Sequence, residues 1–428
     1  MPLRILLLLV AAWGAGAQPA AGEPYGYPVA DPLLATVAGT PEELRADLDI
    51  DPDYAVLGVK VFPDRKLRDQ DYVWYLDKFR YLLLEQEGPA PLAFVIGGTG
   101  SGYSGARINV LNALLYKAGF HVVALPNPTS MSFVVTASRL GVPGLPWEDG
   151  ADLLNVMKLA WERQLSRRLE VEGFYIAGYS LGATHAAWVS WLDEQDPFFD
   201  FRRVLMINPA VNLYRSVSVL DGYMDLFEDQ AEVAALWEGL LNRLATAYAG
   251  RHGISFSEDF LYQALMSQRP PDGDLAKLIG IVFRVSAQSM IVAADRVTRF
   301  GFIIPPNARA DITDDVDPAF LVSAQTGFAT YFDQMLVPFF RKRDPDLTRD
   351  RLLRDAGLAP LEEYLRASPK IGLMHNADDP ILGVGEADWL KDVFGDRAVI
   401  WPRGGHCGNM AYRDNVDWAT RFITGAPR

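Results

Sequence analysis

A serine between two glycines is the clearest candidate for chemistry in this chain. Ser180 lies in the pentapeptide Gly178-Tyr179-Ser180-Leu181-Gly182, directly after an apolar run and directly before a helical pattern. On a tight strand-to-helix turn a serine hydroxyl is exposed, and flanking glycines leave room for the turn to pack. N–H groups at the start of the helix favour a negative charge that forms beside the serine. The pentapeptide predicts a nucleophile, although a serine here can also be an ordinary helix N-cap.

Two loops further along the chain carry an acid and a base. Asp378 and Asp379 follow the apolar run at 371–375, and His406 follows the run at 398–401 among several glycines. A serine hydroxyl is a weak nucleophile until an imidazole takes its proton, and a carboxylate fixes the tautomer of that imidazole. Taken singly, the aspartate could be a turn residue and the histidine a polar loop residue. Their order after a serine turn favours a catalytic set.

The segment strand–Gly-Tyr-Ser-Leu-Gly–helix resembles the nucleophile elbow of the α/β-hydrolase superfamily. That resemblance implies the chain order serine, acid, histidine. It aligns Asp379 with the acid of the family and leaves Asp378 as the alternative. It assigns the role of base to His406.

The same resemblance implies an oxyanion hole made of two backbone N–H groups. One is the N–H of Leu181, the residue after the nucleophile. The other comes from the glycine-rich loop 97–102, in which Gly97 replaces the usual histidine of the family and Thr99 becomes the expected donor, to within one residue. A glycine-rich loop can also bind phosphate, but this one lacks the following Lys-Ser/Thr of a P-loop.

Strands and helices alternate along the chain, which predicts a mostly parallel, doubly wound α/β sheet. The stretch 71–87 is ambiguous between an early strand pair and a helix. The expected strands are Val56–Phe62, Leu92–Gly97, His121–Leu125, Phe174–Ala177, Val204–Ile207, Ile371–His375 and Ala398–Trp401. The expected helices are Ala106–Ala118, Gly150–Arg168, Leu181–Asp193 and Asn415–Ile423.

Residues 213–368 are predicted to be a helical cap inserted into a core formed by 56–212 and 369–428. Roughly 160 residues separate the strand that ends at Ile207 from the strand that begins at Ile371, whereas a plain β-α-β crossover needs only about 30. The alternative interpretation of this stretch is a separate C-terminal domain. The expected cap helices are Ala231–Tyr248, Glu258–Ser267, Asp274–Ala294 and Pro318–Arg341. Apolar cap residues that could form its own core or line an acyl pocket are Met224, Leu226, Phe227, Ile281, Phe283, Phe300, Phe302 and Phe332. The segment Phe300–Pro305 is a candidate substrate-facing or lipid-facing edge, and burial against the sheet domain is the favoured alternative.

The first residues have the pattern of a secretory signal peptide. A short cationic start, an apolar run and small residues predict a signal at 1–17 with cleavage between 17 and 21. Residues 18–55 then read as a processed or extended lead-in. Cys407 is the only cysteine, and the one N-x-S/T site, Asn127-Pro128-Thr129, is blocked by its proline. A secreted protein without disulfides or glycans favours a bacterial periplasm or medium.

The charge and the remaining residues narrow the function classes. Acidic residues outnumber basic ones, 54 against 40, and the net charge of −14 disfavours nucleic acid and anionic membranes as partners. We expect no metal or other cofactor, because Cys/His clusters are absent from the sequence. His121, His185, His252 and His375 are expected to be structural, and Cys407 to be a packing residue.

We therefore expect a serine hydrolase that cleaves esters with a hydrophobic portion, acting on a small-molecule or lipid-like substrate. One alternative is a secreted peptidase or amidase of the same superfamily. It would use an acidic cluster in the cap to bind a peptide amino terminus, for which Asp311, Asp314, Asp315 and Asp317 are candidates. The other alternative is a catalytically silent binding protein on the same fold.

Overall fold

The computed structural model describes residues 25–65, 76–229, 231–233, 235, 272–305, 322–323 and 325–426. The expected signal peptide, nearly all of the expected helix Ala231–Tyr248, the helix Glu258–Ser267 and the acidic residues Asp311 to Asp317 lie outside these ranges.

Within the described residues, one eight-stranded sheet forms the centre of the molecule. Its strands are β1 Tyr54–Val59, β2 Phe79–Leu84, β3 Ala90–Ile96, β4 His121–Leu125, β5 Val171–Tyr179, β6 Arg203–Ile207, β7 Ile371–Asn376 and β8 Ala398–Trp401. Their order is β1-β2-β4-β3-β5-β6-β7-β8. Only β2 runs against its neighbours, pairing antiparallel with both β1 and β4. The predicted fold class is confirmed, and the ambiguous stretch 71–87 contributes the strand β2.

Within the described residues, helices cover both faces of the sheet and also lie between β6 and β7. They are α1 Pro32–Ala38, α2 Ala106–Lys117, α3 Met131–Thr136, α4 Pro146–Arg163, α5 Leu181–Gln195, α6 Leu213–Gly222, α7 Asp272–Thr298, α8 Phe328–Tyr331, α9 Val337–Arg341, α10 Arg349–Asp355, α11 Glu362–Ala367, α12 Glu386–Phe394 and α13 Arg413–Thr424. A π-helical turn, Phe332–Leu336, joins α8 to α9. Short 3₁₀ turns lie at Glu42–Leu44, Leu165–Arg167, Tyr223–Leu226, Ala359–Leu361 and Gly395–Arg397.

Alternation along the buried strands distributes the core over two layers. On β3, Leu92, Phe94 and Ile96 join the apolar cluster that contains α4 and α5. Ala93 and Val95 join the cluster on the other face, with α2 and α13. Successive side chains of a strand point to opposite faces, and all five are fully buried. A strand covered on both faces must be continuously apolar, as this one is.

Helix α4 begins four residues before the expected Gly150 and ends at Arg163 rather than Arg168. Pro146 is its first residue, where a proline loses no hydrogen bond and already has a helical φ. Glu148 and Asp149 in the first turn complement the helix dipole. The pattern of apolar residues missed this turn because its start is marked by proline and acids.

The chain leaves the sheet after β6 and returns in β7, although these two strands are parallel neighbours. The helices α6 to α11 lie between them. Leu365 of α11 belongs to the cluster that contains α4 and α5, whereas α6 to α10 share a further apolar cluster with α3 and Leu181. The cluster includes Leu213, Val217, Phe283, Met290, Ile291, Phe328, Tyr331, Phe332 and Phe340, with Phe300 and Phe302 packed against it. The expected continuous helix Pro318–Arg341 is interrupted, since α8 begins only after Gly327.

The candidate edge segment at 300–305 is hydrogen-bonded to a residue near the end of α7. The buried carboxylate of Asp295 accepts hydrogen bonds from the backbone N–H groups of Gly301, Phe302, Ile303 and Ile304, at 2.6 to 3.0 Å. The segment is therefore held against that apolar cluster, on which Phe300, Phe302 and Ile303 pack. Within α7, the stretch Leu275–Thr298 is long and apolar enough to cross a membrane, but 56% of its apolar window is buried in the structure.

Candidate active site

Ser180 occupies a strained turn between β5 and α5. Its φ is 54°, in the left-handed region that side chains rarely adopt. A Cβ on Gly178 would lie 2.3 Å from the carbonyl oxygen of Gly182. A Cβ on Gly182 would lie 2.3 Å from the carbonyl oxygens of Ile96 and Gly97. Both glycines of the pentapeptide are therefore required by close backbone contacts, which hold the serine in its turn.

The parallel strands bring the acid and the histidine to the same sheet edge as this serine, because their carboxyl ends coincide. His406, in the loop after β8, has Nε2 2.8 Å from Oγ of Ser180. Its Nδ1 lies 2.9 Å from Oδ2 of Asp379, in the loop after β7. The Asp379 side chain is fully buried, whereas His406 keeps 12% exposure. The three sequence-predicted residues are thus connected by hydrogen bonds in the order Asp379, His406, Ser180.

Asp378 has a different set of contacts from its neighbour. Its two carboxylate oxygens accept hydrogen bonds from the N–H groups of Gly404 (3.1 Å) and Gly405 (2.9 Å). Burial raises its pKa above the ordinary value for an aspartate. Asp378 therefore ties the acid loop to the loop of His406, while Asp379 contacts the imidazole itself.

The buried carboxylate of Asp379 is stabilised by several donors. The Nδ2 group of Asn208 donates to Oδ2 at 2.8 Å, and the N–H of Ile381 donates to Oδ1 at 3.1 Å. Burial opposes its charge, but His406, His375 and the N–H of Ile381 together more than offset this, and the pKa of Asp379 is lowered. Burial alone would lower the pKa of His406. The Asp379 carboxylate and the neighbouring Cys407 together outweigh burial and raise that pKa above the usual value.

This coupling predicts the pH dependence of any reaction in which His406 accepts a proton. The imidazole must be neutral to act as a base, so kcat/KM should rise with pH through the pKa of His406 in the free protein. Because the Asp379 charge raises that pKa, the midpoint should lie above about 6.5, the value of an unperturbed histidine. A pH–rate profile at constant ionic strength measures it. A midpoint at or below the unperturbed value would contradict the prediction. The control is Asp388→Asn, which removes an acidic side chain at an exposed position and should leave the midpoint unchanged.

The expected oxyanion donors lie on either side of Ser180. Leu181 is the first residue of α5. A Cβ on Gly98 would lie 3.1 Å from Cβ of Ser180, which places the loop 97–102 against the nucleophile. Thr99 follows Gly98 in a tight turn closed by the hydrogen bond from Ser101 N–H to Gly98 O, at 3.0 Å. The structure therefore brings both predicted backbone segments to the serine.

Of the two polar residues beside Asp379, Asn208 was not predicted. Asn208 follows β6 as Ser180 follows β5, and it too has a positive φ, of 46°. A polar residue directly after a buried strand of this sheet was the signal that could have found it. His375, at the end of β7, lies 3.8 Å from Asp379, and burial lowers its pKa. Its Nδ1 accepts from the N–H of Asn376 at 2.9 Å, so His375 is a neutral structural residue, as expected.

The segment expected to be a processed or extended lead-in packs on the loop of His406. Thr36, in α1, accepts a hydrogen bond from the N–H of His406 at 2.8 Å and donates to Pro32 O at 2.7 Å. The ring of Tyr25 stacks on Trp401 at the end of β8, with 4.5 Å between centroids. Residues 25–40 thus pack against one side of the loop that carries His406. Sequence patterns did not find this, because the segment is short, rich in proline and far from His406 along the chain.

Among the described residues, no group of three or more His, Cys, Asp or Glu side chains could hold a metal ion. Cys407 is buried and free. Its own φ is 63°, so the backbone turns sharply directly after His406.

Comparisons with known proteins add similar structures but no sequence relatives. No protein-family model and no curated protein matches the chain. The solved structure of EstE1, a thermophilic carboxylesterase cloned from a metagenomic library, is 13% identical and has a TM-score of 0.40, over 92% of this chain and 94% of that one. Est1E from Butyrivibrio proteoclasticus is 12% identical with a TM-score of 0.36, over 86% and 96%. A thioesterase domain from the curacin biosynthetic pathway is 13% identical with a TM-score of 0.36, over 88% and 100%.

These likenesses are too distant to bear on function, and the fold is recognised from the topology itself. The sheet has one antiparallel strand near its edge, followed by parallel strands in the order β4-β3-β5-β6-β7-β8. Ser180 follows β5 on a strained turn, Asp379 follows β7 and His406 follows β8. By strand order and by the positions of these three residues, the chain has the α/β-hydrolase fold that the pentapeptide around Ser180 implied.

Proposed function

We propose that the protein is a serine hydrolase that cleaves carboxylic esters with a hydrophobic portion through an acyl-enzyme intermediate. The observation that carries the proposal is the row of two hydrogen bonds from Ser180 Oγ through His406 to Asp379, at 2.8 and 2.9 Å. Both lie within the distance range of proton transfer between hydrogen-bonded groups. The alternatives of a structural N-cap or a polar loop histidine do not account for this alignment.

In the proposed reaction, His406 Nε2 takes the proton of the Ser180 hydroxyl as Oγ attacks the ester carbonyl carbon. Asp379 accepts a hydrogen bond from Nδ1 of His406, which leaves Nε2 unprotonated and able to accept a proton. The charge of Asp379 also stabilises the imidazolium. The backbone N–H groups of Leu181 and Thr99 receive the negative oxygen. His406 then gives its proton to the leaving alcohol, which leaves the acyl group on Ser180. Water, deprotonated by His406, releases the acid and restores the serine.

The preference for an apolar substrate portion rests on what surrounds the nucleophile. Leu181, the residue after Ser180, belongs to the apolar cluster of the insertion. The insertion helix α7 also reaches the oxyanion loop, since a Cβ on Gly100 would lie 3.0 Å from Cβ of Ser286. A substrate at Ser180 would therefore meet the cap, whose buried cluster beside Leu181 is apolar. Apolar walls with a few polar groups are typical of small-molecule sites.

The proposal includes export, with a signal peptide at 1–17 and a secreted or periplasmic location in a bacterium. It also includes hydrolysis without a cofactor. Nucleic acid and a stable membrane anchor are not among the proposed partners. The prediction of a cap at 213–368 on a core of 56–212 and 369–428 is part of the same proposal.

The test is a panel of p-nitrophenyl esters of increasing acyl length beside matched p-nitroanilides, with a fluorophosphonate probe of the folded full chain. We expect labelling at Ser180 and ester hydrolysis that improves with acyl length up to an optimum. Turnover of the anilides alone would overturn the ester assignment in favour of a peptidase or amidase. A folded protein that is not labelled and hydrolyses neither series would be the catalytically silent binding protein.

A further inference from the structure

The loop proposed to carry the second oxyanion donor is a tight turn whose orientation depends on contacts with other segments of the chain. Ser101 N–H donates to Gly98 O at 3.0 Å, and Gly100, the third residue of the turn, has a φ of 71°. A left-handed third residue is the mark of a type II turn, which only glycine adopts easily. Thr99 is the second residue of this turn. Its N–H can serve Ser180 only if the whole turn keeps one orientation relative to the nucleophile.

Asn127 and Thr129, in the loop after β4, bond to this turn at both ends. The Nδ2 group of Asn127 donates to Gly97 O at 2.7 Å, and its backbone N–H donates to Ser101 O at 2.9 Å. The N–H of Gly100, directly after Thr99, donates to Oγ1 of Thr129 at 2.8 Å. Two side chains and one backbone group therefore hold the segment on either side of Thr99.

The two residues are also bonded to each other, which fixes the direction of every donor. Oδ1 of Asn127 accepts from Thr129 N–H at 2.9 Å and from the Thr129 hydroxyl at 2.7 Å. The Thr129 hydroxyl therefore donates its proton to Asn127, and its oxygen accepts the hydrogen bond from Gly100 N–H. Asn127 is fully buried and Thr129 is 1% exposed. Away from water these bonds are strong and the loss of one partner is costly.

A buried histidine continues the network towards the nucleophile helix. His185, in the second turn of α5, has Nδ1 3.4 Å from Nδ2 of Asn127. Since the amide oxygen of Asn127 is already used, its NH₂ group faces this nitrogen, and Nδ1 must be the unprotonated one. The protonated Nε2 then lies 3.5 Å from Oδ2 of Asp149, which accepts from Gly144 N–H at 2.9 Å. The glycine-rich turn is thereby joined to the helix that begins beside Ser180.

We propose that Asn127 and Thr129 are positioning residues that clamp the turn 97–101 and so hold its Thr99 N–H as the second oxyanion donor. This rests on the proposed hydrolase function. The clamp touches neither the nucleophile nor the substrate, and it acts through the orientation of a donor that is used fully only in the transition state. Its loss should therefore lower kcat and leave KM nearly unchanged.

The experiment compares Thr129→Val, which keeps the shape but removes the hydroxyl, with Thr129→Ser, which keeps the hydroxyl. Thr136→Val is the matched control: Thr136 is also a buried threonine, but its hydroxyl donates to Ser132 O within α3. We expect Thr129→Val to lower kcat by on the order of 10- to 100-fold with KM within about 2-fold. Thr129→Ser should recover kcat to within about 3-fold of the original, and Thr136→Val should keep it.

A second measurement does not depend on activity. Hydrogen exchange of the peptide that contains residues 97–102 should be faster in Thr129→Val, because Gly100 N–H loses its acceptor, and unchanged in Thr129→Ser and Thr136→Val. If the unaltered protein proves not to hydrolyse esters, this exchange pattern still reports the clamp, so failure of the proposed function is recognised separately. An active protein whose kcat is unaffected by Thr129→Val would overturn the proposal. Equal losses in Thr129→Val and Thr136→Val, or no recovery by serine, would also overturn it.

Discussion

Ser180→Ala should abolish acyl-enzyme formation and lower kcat for ester hydrolysis by on the order of 10⁶-fold, the loss typical of removing a serine nucleophile. The variant keeps the backbone turn, since alanine is about as strained as serine at a φ of 54°. It loses the hydrogen bond between Ser180 and His406 but leaves the bond of His406 to Asp379 in place. The protein should therefore fold and bind substrate while turning over almost nothing. Steady-state kinetics and fluorophosphonate labelling measure the two effects.

The matched control for this variant is Ser190→Ala. Ser190 lies on the same helix and is fully buried, but its hydroxyl is hydrogen-bonded to Tyr364, away from the site. It should keep near-normal kcat and full labelling, with at most about 1 kcal/mol lost in the free energy of unfolding. If Ser180→Ala retained labelling and turnover, another residue would be the nucleophile and the proposed function would fail.

Asp379→Asn should cost far more activity than Asp378→Asn. An asparagine at 379 no longer provides a negative charge beside Nδ1 of His406 and can favour the wrong tautomer, which lowers kcat by on the order of 10⁴-fold. An asparagine at 378 keeps one oxygen to accept from Gly404 or Gly405 and loses only the other bond. We expect a decrease of about 10-fold or less, because that side chain acts on the loop and not on the imidazole.

The two variants also differ in their pH–rate profiles. Without the Asp379 charge, the pKa of His406 falls, so the rising limb of kcat/KM should move to lower pH in Asp379→Asn. Asp378→Asn should leave that limb close to its original position. Melting temperatures distinguish loss of activity from loss of folding, since Asp379 is buried and also bonded to Asn208. A larger loss of kcat in Asp378→Asn than in Asp379→Asn would show that the assignment of the acid is wrong.

Sequence patterns predicted the elements that are strongly apolar or strongly periodic. All seven expected strands exist, and β5 runs directly into the serine turn, from Val171 to Tyr179. Continuous apolar runs such as β3 and β4 are unambiguous because both of their faces are buried. The stretch 71–87, which contains β2, is ambiguous in sequence between an early strand pair and a helix. The strand β2 runs antiparallel beside the edge strand β1, and its burial is uneven along its length, so its sequence is mixed.

These sequence patterns did not predict contacts between segments that are distant in the chain. Thr36 and His406 are hydrogen-bonded across 370 positions of the chain, and Tyr25 contacts Asn415 across 390. A hydroxyl in a short proline-rich segment gives no periodic signal, since its partner is set by the path of the whole sheet. Asn127 and Thr129 illustrate the same limit. In the sequence they form only a proline-blocked glycosylation site, whereas in the fold they hold the glycine-rich turn.

The sequence by itself determined the fold class and the order serine, aspartate, histidine, because local chemistry requires glycines around a tight turn and apolar residues in a buried strand. Only the tertiary structure decided which of two adjacent aspartates contacts the imidazole. Asp378 and Asp379 share a turn, a charge and nearly the same position, and their side chains point in different directions only because the loops after β7 and β8 meet at one sheet edge. That meeting is a property of the parallel sheet as a whole, since Asp378 is held by Gly404 and Gly405, and Asp379 by Asn208 and His406, all far away in the chain.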